Sequence, residues 1–399
     1  MSKISLPILM LLVLLSPLAI DIYLPSMPTM AAEFSISNSQ IQSTLILFLF
    51  SMGVGQILIG PLTDKFGRRP VAIFGVVLYA LSSLMAAFAV QFDLLLVARL
   101  LQGLAACSTS IVAFSAVRDC FTPKESAKIY SYLNGAICVI PALAPSLGGL
   151  LALQFGWRST FIFMALFGLV MLTVILLKFQ ETKPSHTIAD GKLYHWSRYL
   201  PILKEPHFLF YAVTCMSAMT AILCYVSYSP VWLIGKLGVS ELHFSGLFGI
   251  NAFVNIFACF LAPVFIRKYG NRKTLFVALT MFLTAAILTP LFQLSVLTNL
   301  VGAPLAFMLP MLFVCTGFAF LLGPATSLAL ASFGSRAGTA TALLGFIQMS
   351  GAAIISGVIQ QTNLTAPYAI AFICALFSIS LLLILKQPKL ARWHQETSH

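Results

Sequence analysis

Residues 60–70 read GPLTDKFGRRP, and both flanks of this polar turn are apolar for long distances: ILFLFSMGVGQILI (46–59) before it and VAIFGVVLYALSSLMAAFAV (71–90) after it. A run of about 20 apolar residues, rising about 1.5 Å per residue, crosses a hydrocarbon core about 30 Å thick. The turn therefore joins two membrane-spanning helices. Similar runs recur along all 399 residues, of which 59% are hydrophobic and 9% charged. Soluble domains carry about 25% charged residues, so this composition excludes a soluble globular chain. The expected fold class is an all-α membrane protein.

Hydropathy and loop signals place twelve spans at about 5–29, 40–62, 70–91, 94–116, 127–153, 159–179, 207–232, 243–266, 274–294, 301–331, 338–361 and 366–386. The opening MSK followed by leucines reads as a retained first helix, because no small-residue cleavage site follows it. One long polar segment divides the spans six and six. The expected organisation is an N-terminal six-helix bundle (1–180), a cytoplasmic linker (181–206), a C-terminal six-helix bundle (207–386) and a cytoplasmic tail (387–399). With the N-terminus in the cytoplasm, all but three of the 23 Lys and Arg fall on the cytoplasmic side. Arg158 and Lys236 fall outside and Arg99 lies within a span, which is the positive-inside pattern.

The turn has an echo. Phe-Gly-Arg-Arg of GPLTDKFGRRP is answered about 203 residues later by Tyr-Gly-Asn-Arg-Lys in APVFIRKYGNRK (262–273), and YLNGAICVI (132–140) by LLGFIQMSG (343–351). These matches fit two pseudo-symmetric six-helix halves, an arrangement that places a binding site near the membrane midplane. The formal net charge of +12 is spread over short loops, so it points to the membrane surface and its lipids and not to nucleic acid. The eight cysteines show no C-x-x-C and no ligand-like pairing with histidine, and read as small buried hydrophobes.

Three features carry chemistry. In the turn, Gly60 and Gly67 permit close packing and a tight bend, Arg68 and Arg69 anchor the loop at the inner leaflet, and Asp64 suits a helix N-terminus such as the start of the eleventh span near Gly338. In RLLQGLAA (99–106), Arg99 is the one basic residue inside a span, which costs from about 2.5 to over 10 kcal/mol unless hydrated or paired. Gln102 follows on the same helix face, and Gly103 admits a neighbouring helix closely. In PLAIDIYLPSMP (17–28), Asp21 is the one carboxylate inside a span. It lies about 16 residues, roughly 24 Å, into the first helix, a depth similar to that of Arg99 from the other end, so the two could pair. The alternative is a helix-end carboxylate at the water boundary.

The fifth span contains NGAICVIPALAPSLGG (134–149). Pro141 and Pro145 remove helix hydrogen bonds, while Gly148 and Gly149 offer a smooth surface for another helix. A mostly apolar pocket with a few directed polar groups would draw on Tyr23, Leu49, Gln102, Asn134, Ile137, Tyr225 and Tyr228, each of which could equally be a packing or interfacial residue. Asn251, Asn255 and Gln348 could line the other half. No catalytic set, metal-ligand cluster or nucleotide loop is present in the pattern, which argues against an enzyme.

GPLTDKFGRRP resembles the signature loop of the major facilitator superfamily, R-x-x-Q-G a second motif of its proton-coupled members, and the fifth span its antiporter motif, with Ala144 in place of that motif's first glycine. AIDIYLPSMP, VARLLQG, VRDCF (117–121) and LAPSLGG together resemble the bicyclomycin and chloramphenicol resistance branch of its twelve-span drug:proton antiporters. The resemblance implies a monomeric transporter of the bacterial inner membrane, driven by the proton gradient without a cofactor, that exports neutral or cationic amphipathic compounds by alternating access. It implies further that Asp21 carries the proton beside the drug pocket and that Arg99 tunes it. A proton-coupled symporter or exporter of a small nutrient or metabolite with the same fold is the alternative; a membrane receptor or enzyme is a more distant one.

Overall fold

A computed structural model describes residues 5–184, 196–333, 336–362 and 364–386. The middle of the expected linker and the whole of the expected tail lie outside these residues. The described residues are helical and contain no strand. In the membrane no water is available to backbone N–H and C=O groups, so each span must satisfy them within its own helix.

The spans are Leu6–Glu33, Asn38–Phe66, Arg68–Ala87, Phe92–Cys120, Lys128–Phe155, Arg158–Lys178, Pro206–Lys236, Glu241–Leu291, Ala303–Leu330, Gly338–Gln360 and Ala366–Lys386. The 51-residue stretch Glu241–Leu291 is two helices, because Gly270 (φ 81°, ψ 165°) turns the chain in its middle. Counted so, there are twelve among the described residues, each overlapping its expected position. The echo is conformational as well as sequential: Gly67, the counterpart of Gly270, adopts φ 100° and ψ 166°. Both loops turn on a glycine in a region that side chains disfavour.

Helix ends follow local chemistry. Ser37 with Gln40, and Thr122 with Glu125, form reciprocal capping boxes that start the second and fifth spans. The first span is interrupted: its helix ends at Asp21, a 3-10 turn covers Leu24–Ser26, and helix resumes over Met27–Glu33. The fifth span, by contrast, stays helical from Pro123 to Phe155 through Pro141 and Pro145.

Two compact units are present. The first comprises residues up to 196 together with Ser240–Gly249, and the second Ser197–Val239 with residues from 250 onward. Within the first, the fourth span packs on the third and second, the third on the sixth, and the first on the fifth and fourth. Within the second, the seventh span is the hub against which the tenth, eleventh and twelfth pack. Large apolar side chains such as Leu177, Phe253, Phe260 and Leu383 are exposed, whereas Arg99 and Arg68 are buried, the inverse of a soluble protein.

Small residues set the closest approaches. A Cβ on Gly103 would lie 2.1 Å from both Phe48 O and Ser51 Oγ, so the fourth span rests directly on the second there. At Gly60 a Cβ would meet nothing within 4 Å, so the close packing expected at that glycine is absent: its position on the helix faces open space. Gly103→Ala should therefore lower the melting temperature of the purified protein by several degrees, an overpacking cost of about 1–3 kcal/mol, while Gly60→Ala leaves it nearly unchanged. Equal melting curves for the two variants would contradict this packing.

Candidate functional site

Arg99 is fully buried in the fourth span, and its guanidinium lies 4.6 Å from the ring centre of Tyr23 and 4.5 Å from that of Phe48. A planar, weakly hydrated cation suits such aromatic faces. Its Nε donates to Thr44 O at 3.3 Å, its Nη2 to the Tyr23 hydroxyl at 3.4 Å, and its Nη1 to Gln102 Oε1. Gln102, one helical turn on, passes the network outward by donating from Nε2 to Ser83 Oγ at 2.7 Å. Ser83 Oγ donates to Tyr79 O at 2.7 Å, and the Tyr79 hydroxyl to Leu15 O at 3.0 Å. Tyr23 and Thr44 also share a hydroxyl hydrogen bond at 3.0 Å. One buried cation thus ties together the first four spans of the unit.

Asp21 is not among its partners. The carboxylate is buried, 3% exposed, and makes no ion pair or hydrogen bond among the described residues. The pairing suggested by depth is corrected by azimuth: residues two apart do not share a helix face, and Tyr23 is the one turned to Arg99. Asp21 instead marks the place where the first helix breaks. There the fifth span comes into backbone contact, since a Cβ on Gly148 would lie 1.6 Å from Ile22 O. Pro145 is buried one turn before, its carbonyl accepting from Ser245 Oγ at 3.0 Å, and Gly149 faces the same serine.

Of the expected pocket residues, Tyr23, Leu49 and Gln102 are buried around Arg99 or on the adjoining second span. Asn134 is exposed and Ile137 half-buried in the fifth span. In the second unit Tyr225 and Tyr228 are buried, and Asn251 Nδ2 donates to the Tyr225 hydroxyl at 3.2 Å and to Met308 O at 3.3 Å.

At the opposite end of these spans, Arg68 is 1% exposed and forms the centre of the 60–70 turn. Its Nη1 reaches Asp64 Oδ1 at 3.0 Å and Thr63 O at 2.8 Å, and its Nε reaches Asp119 Oδ2 at 2.8 Å. Arg69 Nη2 donates to Leu176 O at 3.0 Å. Glu181, just past the sixth span, caps the third: its carboxylate accepts from the backbone N–H groups of Arg68 (2.8 Å) and Arg69 (3.1 Å), and from those of Thr182 and Lys183 (both 2.9 Å). A Cβ on Gly67 would lie 2.4 Å from Glu181 Oε2, so glycine is required there for space as well as for φ. Sequence reasoning assigned no role to Glu181 or Asp119. The available signal was position: both carboxylates end spans on the membrane face that carries the 60–70 turn.

The family model described as Major Facilitator Superfamily matches residues 9–356. The multidrug resistance protein MdtL of Shewanella sp. (strain ANA-3) is 34% identical over 391 residues, covering 95% of this chain and 94% of that protein. MdtL of Escherichia coli O157:H7 is 32% identical, covering 97% of each. Among solved structures, a D-xylose-proton symporter superposes with a TM-score of 0.75 at 17% identity over 94% of this chain and 96% of that one. A bacterial homologue of the human lysosomal transporter Spinster gives 0.69 at 17% identity, covering 95% and 94%.

Glu181 also gives the knot a pH signature. Partial burial pushes its carboxyl up, but the four backbone N–H donors together outweigh this and hold it below the usual glutamate range. A carboxyl depressed in the folded state contributes stability above its unfolded value and loses it as pH falls through the folded one. Glu181→Gln should thus lower the melting temperature at neutral pH, reflecting a stability loss of up to about 1 kcal/mol, the scale of a lost helix cap, with the gap to wild type closing on acidification below the ordinary carboxylate range. Melting curves of both proteins from pH 3 to 8 check this; a gap independent of pH would oppose it.

Proposed function

The chain belongs to the major facilitator superfamily, and from that premise we propose that it is a proton-coupled multidrug efflux antiporter for neutral or cationic amphipathic compounds, chloramphenicol-like antibiotics among them. The observation that carries this reading is end-to-end similarity to multidrug resistance proteins, at 34% identity over 95% of this chain and 94% of the relative. The xylose symporter likeness, at 17% identity, concerns the fold alone and does not favour sugar uptake. The protein works as a monomer in a bacterial inner membrane with both termini in the cytoplasm, drawing on the proton gradient and no cofactor.

In this reading Asp21 carries the proton. It is buried, unpaired, and placed where the first span is broken and pressed by Gly148. A carboxylate without a counter-ion responds strongly to whether water, a proton or a cationic substrate reaches it, because nothing fixed compensates its charge. Protonation and drug occupancy then exclude one another, and the access change alternates them. Arg99 holds the helix break in place from its other face. The 60–70 turn, with Gly60, Asp64, Gly67, Arg68 and Arg69, serves as the cytoplasmic gate, and Asp64 in it is half exposed. Pro141, Pro145, Gly148 and Gly149 form the sliding face.

In cells lacking their major pumps, wild-type chain should lower drug susceptibility and release protons on drug addition, whereas Asp21→Asn should reach the same membrane level yet give vector-level resistance and no proton release. Active efflux by the Asn variant removes Asp21 as carrier. Arg99→Lys keeps the charge but not the plane that stacks between Tyr23 and Phe48, and should lower efflux roughly tenfold or more. A fully active lysine variant would show that charge alone suffices.

A further inference from the structure

At the end of the spans remote from the 60–70 turn lies a half-open cavity of about 220 Å³ whose lining belongs wholly to the first unit. It is bounded by Ser26, Thr29 and Glu33 of the first span, Phe155 at the end of the fifth, Arg158 at the start of the sixth, and Glu241. Two of its polar groups lack partners. Ser26 is fully buried and its hydroxyl makes no hydrogen bond; Glu241 accepts from Thr29 Oγ1 at 3.2 Å on one oxygen, while the other is buried and unbonded. A buried hydroxyl left without a partner costs about 1–3 kcal/mol, so its retention at a cavity wall is a sign of use.

The charges in the cavity are unequal. Glu33 is neutralised by Arg158 at 2.5 Å and by the Trp157 indole N–H at 2.6 Å, and Arg158 is further spent on Ala89 O at 3.3 Å and on the Trp157 face. Glu241 has no cation within ion-pair distance among the described residues. One uncompensated carboxylate, one free hydroxyl and the exposed ring of Phe155 form a set that accepts hydrogen bonds and positive charge and offers an apolar wall. The set falls short of the six to eight oxygens, roughly, that a calcium ion collects, and the engaged Arg158 leaves little for an anion. The volume is below the range of about 300–1,000 Å³ typical of drug-sized pockets, and so suits a head group.

We propose that this cavity is a second, peripheral ligand site that takes a protonated amine, its ammonium group on Glu241 and Ser26 and its apolar body against Phe155. The site stands on its own geometry; only its use as a station on the export route of cationic substrates rests on the efflux reading.

The test is calorimetric titration of the purified full chain in detergent with 2-phenylethylammonium chloride, and with 2-phenylethanol as its uncharged counterpart. Saturable binding of the ammonium is expected, with at least tenfold weaker binding of the alcohol, since losing a charge-assisted contact costs roughly 1.4 kcal/mol or more. Glu241→Gln should weaken the ammonium by a similar factor and Ser26→Ala severalfold. Melting curves accompany each variant, and if Glu241→Gln melts early then Ser26→Ala decides. Absence of saturable binding, or wild-type affinity in Glu241→Gln and Ser26→Ala, overturns the proposal. So does loss of binding in Asp21→Asn alone, which would seat the ammonium beside the first-helix break instead. Because binding needs no gradient, a failure of drug export in cells leaves these isotherms unaffected and is told apart from a failure of the site.

Discussion

A guanidinium buried at membrane depth is the constraint on which the rest of the first unit depends. Arg99 cannot be left bare in hydrocarbon, and no carboxylate among the described residues meets it; what it has are two aromatic faces, a carbonyl, a phenol and an amide. They come from three helices: Tyr23 from the broken first span, Thr44 and Phe48 from the second, Gln102 from its own helix. The cost of an unsolvated cation, from about 2.5 to over 10 kcal/mol, is thus spread over several neutral partners, and the positions of those helices are fixed by the need to reach it. Gly103, one residue beyond Gln102, makes the approach possible by removing the side chain that would strike Phe48 O.

The far end of the same spans is governed by the complementary problem of exposed backbone donors. The third span begins at Arg68 directly after Gly67, too abruptly for an ordinary side-chain cap of its own. Glu181 supplies the acceptor from the end of the sixth span, and the carboxylate meets the positive end of the helix dipole. This fixes the backbone from which the Arg68 side chain extends to Asp64 and Asp119. A cluster of buried ion pairs needs such a rigid footing, because a side chain is only as well placed as the backbone that carries it.

The twelve spans were legible in the sequence because hydrocarbon imposes a length and a composition on every one, and the glycine-centred echo was legible because φ above zero selects glycine at 67 and at 270 alike. The residue types of the candidate site were legible for the same reason: Arg99 and Asp21 stand out wherever charge is expensive. Their partners were not. Depth along a helix follows from counting residues, but which way a side chain faces beside a 3-10 break does not, and so Tyr23 took the place expected for Asp21. Glu181 escaped notice because a carboxylate at a loop edge has the same local sequence whether it faces water or caps a helix 113 residues earlier. The interruption at Leu24–Ser26 fits the closely spaced Pro25 and Pro28 but is no more than suggested by them.

Keeping Arg99 and Asp21 apart has a consequence for coupling. A direct ion pair at about 4 Å and an effective dielectric near 20 would add about 4 kcal/mol to the cost of neutralising the carboxylate, and would hold it charged through the cycle. With the arginine satisfied by neutral groups, the acid has no ion-pair partner among the described residues. The two are still mechanically joined. Tyr23 holds one face of the break to Arg99, and Gly148 presses the neighbouring carbonyl of Ile22 from the fifth span. Any movement of the fifth span along that contact shifts the segment carrying Asp21 against a fixed Tyr23, changing the carboxylate's surroundings without disturbing the buried cation. Under the proposed exchange of proton for drug, that separation lets one charged residue act as an anchor while the other changes state.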